Sequence, residues 1–399
     1  MVTSLPQQHL APATTITTTR LTSLDAFRGF IIAGMILVTD PGTYSAVYKP
    51  LMHAQWENPT PTDMIFPSFL VIVGIAITLS FASRLQRGST RAELLRHVLQ
   101  RSAIIFLLGL ILNGFPDYNL HTLRIPGVLQ RIAICYLFGA TLYLTAYKKN
   151  RRQTTTIIVA TTVALLTLYW ALLKFYPVPG FGPSRLDSLG NLGAYIDRAV
   201  FTIPHLWPYG TTPGYGVTFD PEGILSTLGA MATLLLGILA GEWLLTATTQ
   251  AKKAIGLAIA GSTLILISLA LSPSMPLTKK IWTPTFATFS GGAALLIYSF
   301  LYLILDIKQW RRWSTPALIF GTNAILAFTL SGILTTLTDR IHITAPDGTL
   351  TTLHQWANLH LFATWLSPIN ASLAYAITIV AINLALIYPL YRKQIFLRI

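Results

Sequence analysis

Charge is the scarcest commodity in this chain. Asp and Glu together number 14 in 399 residues, and all charged types make up 11%, too little polar surface to cover a soluble globule. Cysteine is nearly absent. The single Cys135, set inside an apolar run, excludes an intramolecular disulfide, a thiolate cluster and a CxxC redox pair, and reads as a packing residue. No repeat of short fixed period is present, and no polar stretch is long enough to fold alone as a soluble domain. Residues 1–19 contain Thr and Pro but have neither a basic n-region nor a small-residue cleavage site. They are expected to be a disordered cytoplasmic tail rather than a cleaved signal.

What remains is apolar. The composition is 53% hydrophobic with mean hydropathy +0.58, and the apolar residues fall in runs over 24–38, 64–81, 103–112, 128–147, 154–175, 224–245, 254–271, 285–307, 316–337 and 372–391. With their flanks these are roughly ten segments of membrane-spanning length. The expected fold class is an all-α polytopic membrane protein. Residues 20–399 are expected to form one transmembrane domain, a bundle of about ten helices whose external loops cover a central cavity.

Basic residues then orient the bundle. Arg84, Arg87, Arg91, Arg96 and Arg101 lie between spans two and three, Lys148, Lys149, Arg151 and Arg152 between four and five, and Lys252 and Lys253 between six and seven. Lys308, Arg311 and Arg312 follow span eight, and Arg392, Lys393 and Arg398 close the chain. With ten spans all these loops fall on one side, which the positive-inside rule makes cytoplasmic, together with both termini. The net charge of +14 is therefore a topology signal facing lipid headgroups, and no nucleic-acid module is visible.

The long loops lie on the opposite side. Residues 177–219 are rich in Pro, Gly and aromatics, include a candidate short helix over 193–200, and end in the run Pro204-His205-Leu206-Trp207-Pro208-Tyr209. Such a loop is expected to be an ordered cover rather than a linker. Residues 338–368 carry His342, His354, His360, Trp356 and Trp365, in a pattern fitting an interfacial or re-entrant piece. Without convergent carboxylates no metal site is expected.

Several polar constellations interrupt the apolar pattern. His53 sits in a short loop between the first two spans, where a titratable imidazole could accept a proton at the bilayer surface. Thr22-Ser23-Leu24-Asp25 matches a capping box, with Arg28 on the same helical face as Asp25. Arg28 is thus either an ion-paired helix end, a contact for the phosphate of an anionic ligand, or both. Thr60-Pro61-Thr62-Asp63 is a second capping box with Pro at the first helical position, and Asp63 could also orient His53. Pro67 is expected to break the helical ladder one turn later. Gln130 and Arg131 open span four beside apolar Ile132, Ala133 and Ile134. Burial of Arg131 there requires either an ion pair, with Asp117 or another carboxylate, or a polar ligand within the bundle.

These residues also resemble a known family. The run from Arg20 to Gly29, His53-Ala54-Gln55-Trp56, Thr62-Asp63-Met64-Ile65-Phe66-Pro67 and the run from Arg124 to Arg131 resemble the heparan-alpha-glucosaminide N-acetyltransferase family of transmembrane acyltransferases. Asp220-Pro221-Glu222-Gly223-Ile224-Leu225-Ser226-Thr227, Ala240-Gly241-Glu242-Trp243, Lys279-Lys280-Ile281-Trp282-Thr283 and Gly321-Thr322-Asn323-Ala324 look like its bacterial branch. The resemblance implies transfer of an acetyl group from cytoplasmic acetyl-CoA, as co-substrate, to an amino sugar on the opposite face, in a bacterial inner membrane. It places the essential histidine at His53. The family's preceding asparagine would fall at Thr39, where this chain departs; Asp40 follows, and Trp56-Glu57-Asn58 departs from the family's usual Trp-x-Gly.

In chemical terms, acetyl-CoA cannot cross hydrocarbon, so its nucleotide must stay near the basic face while the thioester reaches inward. Only the free amine of an amino sugar attacks a thioester, and His53 could remove its proton, an effect worth about 10²–10⁴ in rate. The expected catalytic set is His53, Asp63, Thr39 and Asp40, and the expected cofactor-binding set is Arg28, Gln130, Arg131 and Asn323. Thr39 and Asn323 are also candidate oxyanion donors. Partners expected are acetyl-CoA, the amino-sugar acceptor and the bilayer, with a homodimer open. An amino-sugar transporter and an O-acyltransferase of envelope polysaccharide remain alternatives.

Overall fold

The structure is a computed structural model describing residues 21–147, 150–344, 348 and 350–396. The tail over 1–19 and the basic residues Lys148, Lys149 and Arg398 lie outside the described residues. The chain is a multi-pass membrane protein built mostly from helices. They are α1 (Thr22–Thr39), α2 (Ile65–Gln86), α3 (Arg91–Gly114), α4 (Val128–Ala146), α5 (Arg151–Phe175), α6 (Leu192–Phe201) and α7 (Thr227–Leu244). Then follow α8 (Gln250–Leu271), α9 (Pro284–Tyr302), α10 (Thr315–Thr322), α11 (Ala324–Arg340), α12 (Leu353–Ala357) and α13 (Pro368–Arg392). Among the described residues nine helices are long and apolar enough to cross a bilayer, and Arg312–Thr322 with Ala324–Arg340 form a further apolar pair bent by 76°, a broken span or a re-entrant loop. Nine of the ten apolar runs are therefore recovered as single spanning helices, and the run over 316–337 is instead the bent pair.

Small residues set the closest helix approaches. A Cβ on Gly74 would lie 2.2 Å from the Leu234 carbonyl oxygen, and one on Gly237 would lie 2.2 Å from that of Val71. Only glycine lets α2 and α7 touch backbone to backbone at the centre of the bundle. The same device joins α1 to α10, where a Cβ on Gly29 would overlap the Ala317 carbonyl. Cys135 is fully buried in the main apolar cluster, with Leu70, Tyr143 and Leu234.

Helix starts show where local pattern succeeds and fails. The first box is not a capping box: Leu21 precedes the helix without a side-chain cap, and the amides of Thr22 and Ser23 donate to the Asp306 carboxylate at 3.0 and 3.1 Å. A distant buried acceptor outcompetes the local one. Arg28 does meet Asp25, at 3.1 Å. The box at Thr60 forms as read, with the Thr60 amide donating to Asp63 at 2.9 Å. Pro67 does not break a ladder. It sits in the first turn of α2, where its missing N–H has no intrahelical acceptor to lose.

The loops opposite the basic end interlock as a cover. The 193–200 helix appears as α6, capped by Asn191. His205 Nδ1–H donates to the Leu123 carbonyl at 2.7 Å, Ile125 N–H to His205 O at 3.0 Å, and Trp56 Nε1–H to Leu186 O at 2.8 Å. The segment after α11 carries a short hairpin, His342–Thr344 paired with Leu350–Thr352, then α12 and a π-helical turn over Asn358–Phe362.

Candidate active site

His53 lies on the wall of a cavity of about 970 Å³ beneath this cover. The capping box that starts α2 also builds the site. Asp63, only 1% exposed, accepts from the Thr60 amide at 2.9 Å and the Ala54 amide at 3.0 Å, which fixes its carboxylate with one oxygen aimed at His53. The His53 Nδ1 to Asp63 Oδ1 distance is 2.7 Å. A carboxylate at that distance requires a proton on Nδ1, so neutral His53 carries its lone pair on Nε2. His53 is half-exposed while its partner is buried, the arrangement of a base presented to a cavity by a fixed orienting group.

Lys279, from the loop between α8 and α9, completes the group. Its Nζ stands 3.0 Å from His53 Nδ1 and 3.3 Å from Asp63 Oδ1. Burial pulls its ammonium below the usual lysine value, opposed by the carboxylates of Asp63 and Glu222. Further round the wall Arg124 grips Asp220 bidentately at 2.6 and 2.9 Å and Glu222 at 2.6 Å. These two carboxylates hold Arg124 firmly charged. Trp56 meets Phe219 edge to face at 5.1 Å, and Lys280 Nζ lies 5.9 and 5.5 Å from the two ring centroids. The site therefore offers a base, an aromatic platform and fixed charges of both signs.

A second cavity, about 460 Å³, occupies the basic end and is lined by Arg28, Arg84, His97, Gln100 and Arg101. The two cavities share Phe69, Leu129, Ile132, Ala324 and Ile325 as lining. Only an apolar wall thus separates a cationic vestibule from the imidazole.

The other expected site residues are distributed unevenly. Arg28 lines the basic cavity, bonded to Asp25 and, at 3.2 Å, to the Gly321 carbonyl. Thr39 lines the His53 cavity, but its hydroxyl donates to the Met35 carbonyl at 2.9 Å. Asp40 is buried and tied to α11, accepting from Ser331 at 3.2 Å and from Thr335. Asn323 is buried at the bend between α10 and α11 and donates to Ile395 O at 3.1 Å. Gln130 packs against the backbone of Gly109 and Gly127. Arg131 is not paired with Asp117, which bonds Arg340 instead. It donates to Gly223 O at 3.1 Å and to Ser226 Oγ, with its guanidinium 5.2 Å from the Trp282 ring centroid. Turned toward the start of α7, it braces the cavity wall from behind.

Lys279, Lys280, Arg124, Asp220 and Glu222 were given no individual role by the sequence, although they belong to the runs that carry the resemblance. Paired basic residues between two spans on the side otherwise poor in Lys and Arg were the signal available.

The model of the heparan-alpha-glucosaminide N-acetyltransferase catalytic family matches residues 20–271, a stretch that contains His53, Asp63, Arg124 and Glu222 and ends before Lys279. The mouse heparan-alpha-glucosaminide N-acetyltransferase is 30% identical over 351 residues, covering 77% of this chain and 53% of the mouse protein. The human protein is 31% identical over 351 residues, covering 77% of this chain and 52% of its own. The chain thus spans about half the length of the curated relatives it matches. With the family match running through its first helices and the His53–Asp63 pair, this chain belongs to the heparan-alpha-glucosaminide N-acetyltransferase catalytic family.

Proposed function

We propose that this protein is a membrane N-acetyltransferase that moves an acetyl group from acetyl-CoA, entering at the cytoplasmic face, to the amine of an amino sugar held on the external face of a bacterial inner membrane. The observation carrying this reading is the 2.7 Å contact of His53 Nδ1 with Asp63 on the wall of the larger cavity. The names of the relatives state N-acetyl transfer, and acetyl-CoA is the donor this reading assigns to it. The basic cavity suits its phosphates, with Arg28, Arg84 and Arg101 supplying charge-assisted donors. The shared apolar wall is where an acyl-bearing arm would have to pass.

In this reading His53 Nε2 takes a proton from the attacking amine as the N–C bond forms. The C–S bond breaks, and the proton passes to the departing thiolate. Asp63 holds the imidazole in the required tautomer and stabilises its cationic form. Trp56 and Phe219 offer faces on which a sugar ring can stack. Asp40, Asn323, Gln130 and Arg131 keep the surrounding helices in register.

Purified protein in nanodiscs, given acetyl-CoA and a panel of amino sugars, should release free thiol and yield an amide product. His53→Ala should bind acetyl-CoA as well as wild type but transfer at least about 10²-fold more slowly. Equal rates in mutant and wild type would remove His53 from the chemistry. A transporter is the second reading, favoured by the bent α10–α11 pair beside two cavities with one common wall. It would move labelled sugar across vesicles without consuming acetyl-CoA. An ester product would instead indicate an O-acyltransferase.

A further inference from the structure

We infer that Lys279 is a positioning residue that keeps His53 neutral, its ammonium sharing Asp63 with the imidazole so that His53 works as a base at ambient pH. This inference rests on the acyl-transfer reading for its purpose but not for its test. A His–carboxylate pair standing alone favours the imidazolium, because a nearby opposite charge stabilises the protonated ring and can raise its titration by about 1–3 units. A base protonated in the resting state cannot accept the amine's proton. Here the carboxylate is contested. Lys279 Nζ lies 3.3 Å from the oxygen of Asp63 that faces His53, and 3.0 Å from Nδ1 itself. Nδ1 must donate to Asp63 at 2.7 Å, so the ammonium beside it acts by charge, donating to the carboxylate and opposing a second positive charge on the ring.

The surrounding groups support this assignment. Asp63 faces His53 from the start of α2, and Glu222 bears on Lys279 from the segment before α7. Lys280 bears on Asp63 from the same loop as Lys279, and Arg131 bears on Lys279 from α4. The cluster about Lys279 and Asp63 thus holds three cations and two carboxylates, and Glu222 is already engaged by Arg124 at 2.6 Å. The position of Lys279 is also built. Thr278 pairs with Glu57 across to the His53 loop, and its amide bonds Thr283 Oγ1 at 3.1 Å. Trp282 N–H closes a turn onto Lys279 O at 2.9 Å, and the indole of Trp282 is buried in the main apolar cluster. A lysine that served only solubility would not be fixed at both ends of its loop and desolvated.

The test follows the His53 titration directly. Ring-labelled histidine in the nanodisc-embedded full chain is read by NMR across pH, and the His53 resonance is assigned by its disappearance in His53→Gln. In Lys279→Met the imidazolium should persist to a pH higher by about one unit or more, and Lys279→Arg should restore the wild-type titration. Lys279→Gln is a shorter-range substitute if the Met variant does not fold. Where acetyl transfer is measurable, the acid limb of its rate should move by the same amount, because the base then remains protonated to higher pH. An unchanged His53 titration in a folded, uncharged Lys279 variant overturns the inference. A shifted titration in a protein that transfers no acetyl group upholds it and defeats the acyl-transfer reading instead.

Discussion

Asp63→Asn isolates the orienting carboxylate with the smallest change of shape. With its carbonyl oxygen in the place of Oδ2, Asn can still accept both amide protons, from Ala54 and Thr60, that Asp63 receives there at 3.0 and 2.9 Å. What it cannot do is attract Nδ1–H and Lys279 as an anion. A charged hydrogen bond is worth about 1.5–3 kcal/mol, about 10–150-fold in rate if only orientation is lost. The amide also presents N–H where the carboxylate presented oxygen, which selects the tautomer bearing its proton on Nε2, where the lone pair is needed. The general-base contribution is then forfeited, and kcat/KM should fall by about 10²–10⁴. The assay is thiol release from acetyl-CoA with an amino-sugar acceptor. The controls are the thermal midpoint and acetyl-CoA affinity, expected within about threefold of wild type since the basic cavity is untouched. A folded Asp63→Asn protein transferring at the wild-type rate would refute the reasoning.

Arg28→Ala should weaken acetyl-CoA binding by about 1–3 kcal/mol through loss of a charge-assisted contact, whereas Arg131→Ala should leave affinity unchanged and lower the melting temperature; calorimetry and thermal scans separate the two. Asp197, buried in the cover and bonded to the Ile224 amide at 2.9 Å, is pushed up by desolvation to about 7. The folded state therefore binds its proton where the unfolded chain has released it, so this group's contribution to stability falls as pH rises from about 4 through 7. Asp197→Asn should raise the melting temperature at pH 8 and lose that advantage toward acid pH, and equal differences at both pH values would contradict the burial argument.

Much of the bundle was legible because membrane spans are written in continuous apolar runs. The Thr60–Asp63 box and α6 were legible for the same reason, being local. What escaped was long-range. Asp306 caps α1 from 284 residues away, Asp117 turns to Arg340, and Lys279 reaches His53 across 226 residues. Periodicity carries no record of such partners. The bend at Asn323 escaped because Gly321 and Asn323 are compatible with a straight apolar helix until Gly321 packs on the Asp25 carbonyl of α1. Of the residues singled out for the site, His53, Asp63 and Thr39 line the larger cavity and Arg28 the basic one. Asp40 and Asn323 bond neighbouring elements, Arg131 bonds Gly223 and Ser226, and Gln130 packs against backbone, contacts that no local pattern announces.

The central claim is transfer between faces through His53, and sided proteoliposomes test it most directly. Protein is inserted with its orientation fixed by protease accessibility, acetyl-CoA bearing a labelled acetyl group is supplied on the face carrying Arg84 and Arg101, and an amino sugar is confined to the opposite face. Labelled N-acetyl sugar should appear in the sugar compartment, at a rate lost in His53→Ala. Label transferred only when both reactants share one face, or unacetylated sugar crossing without thiol release, would contradict the account.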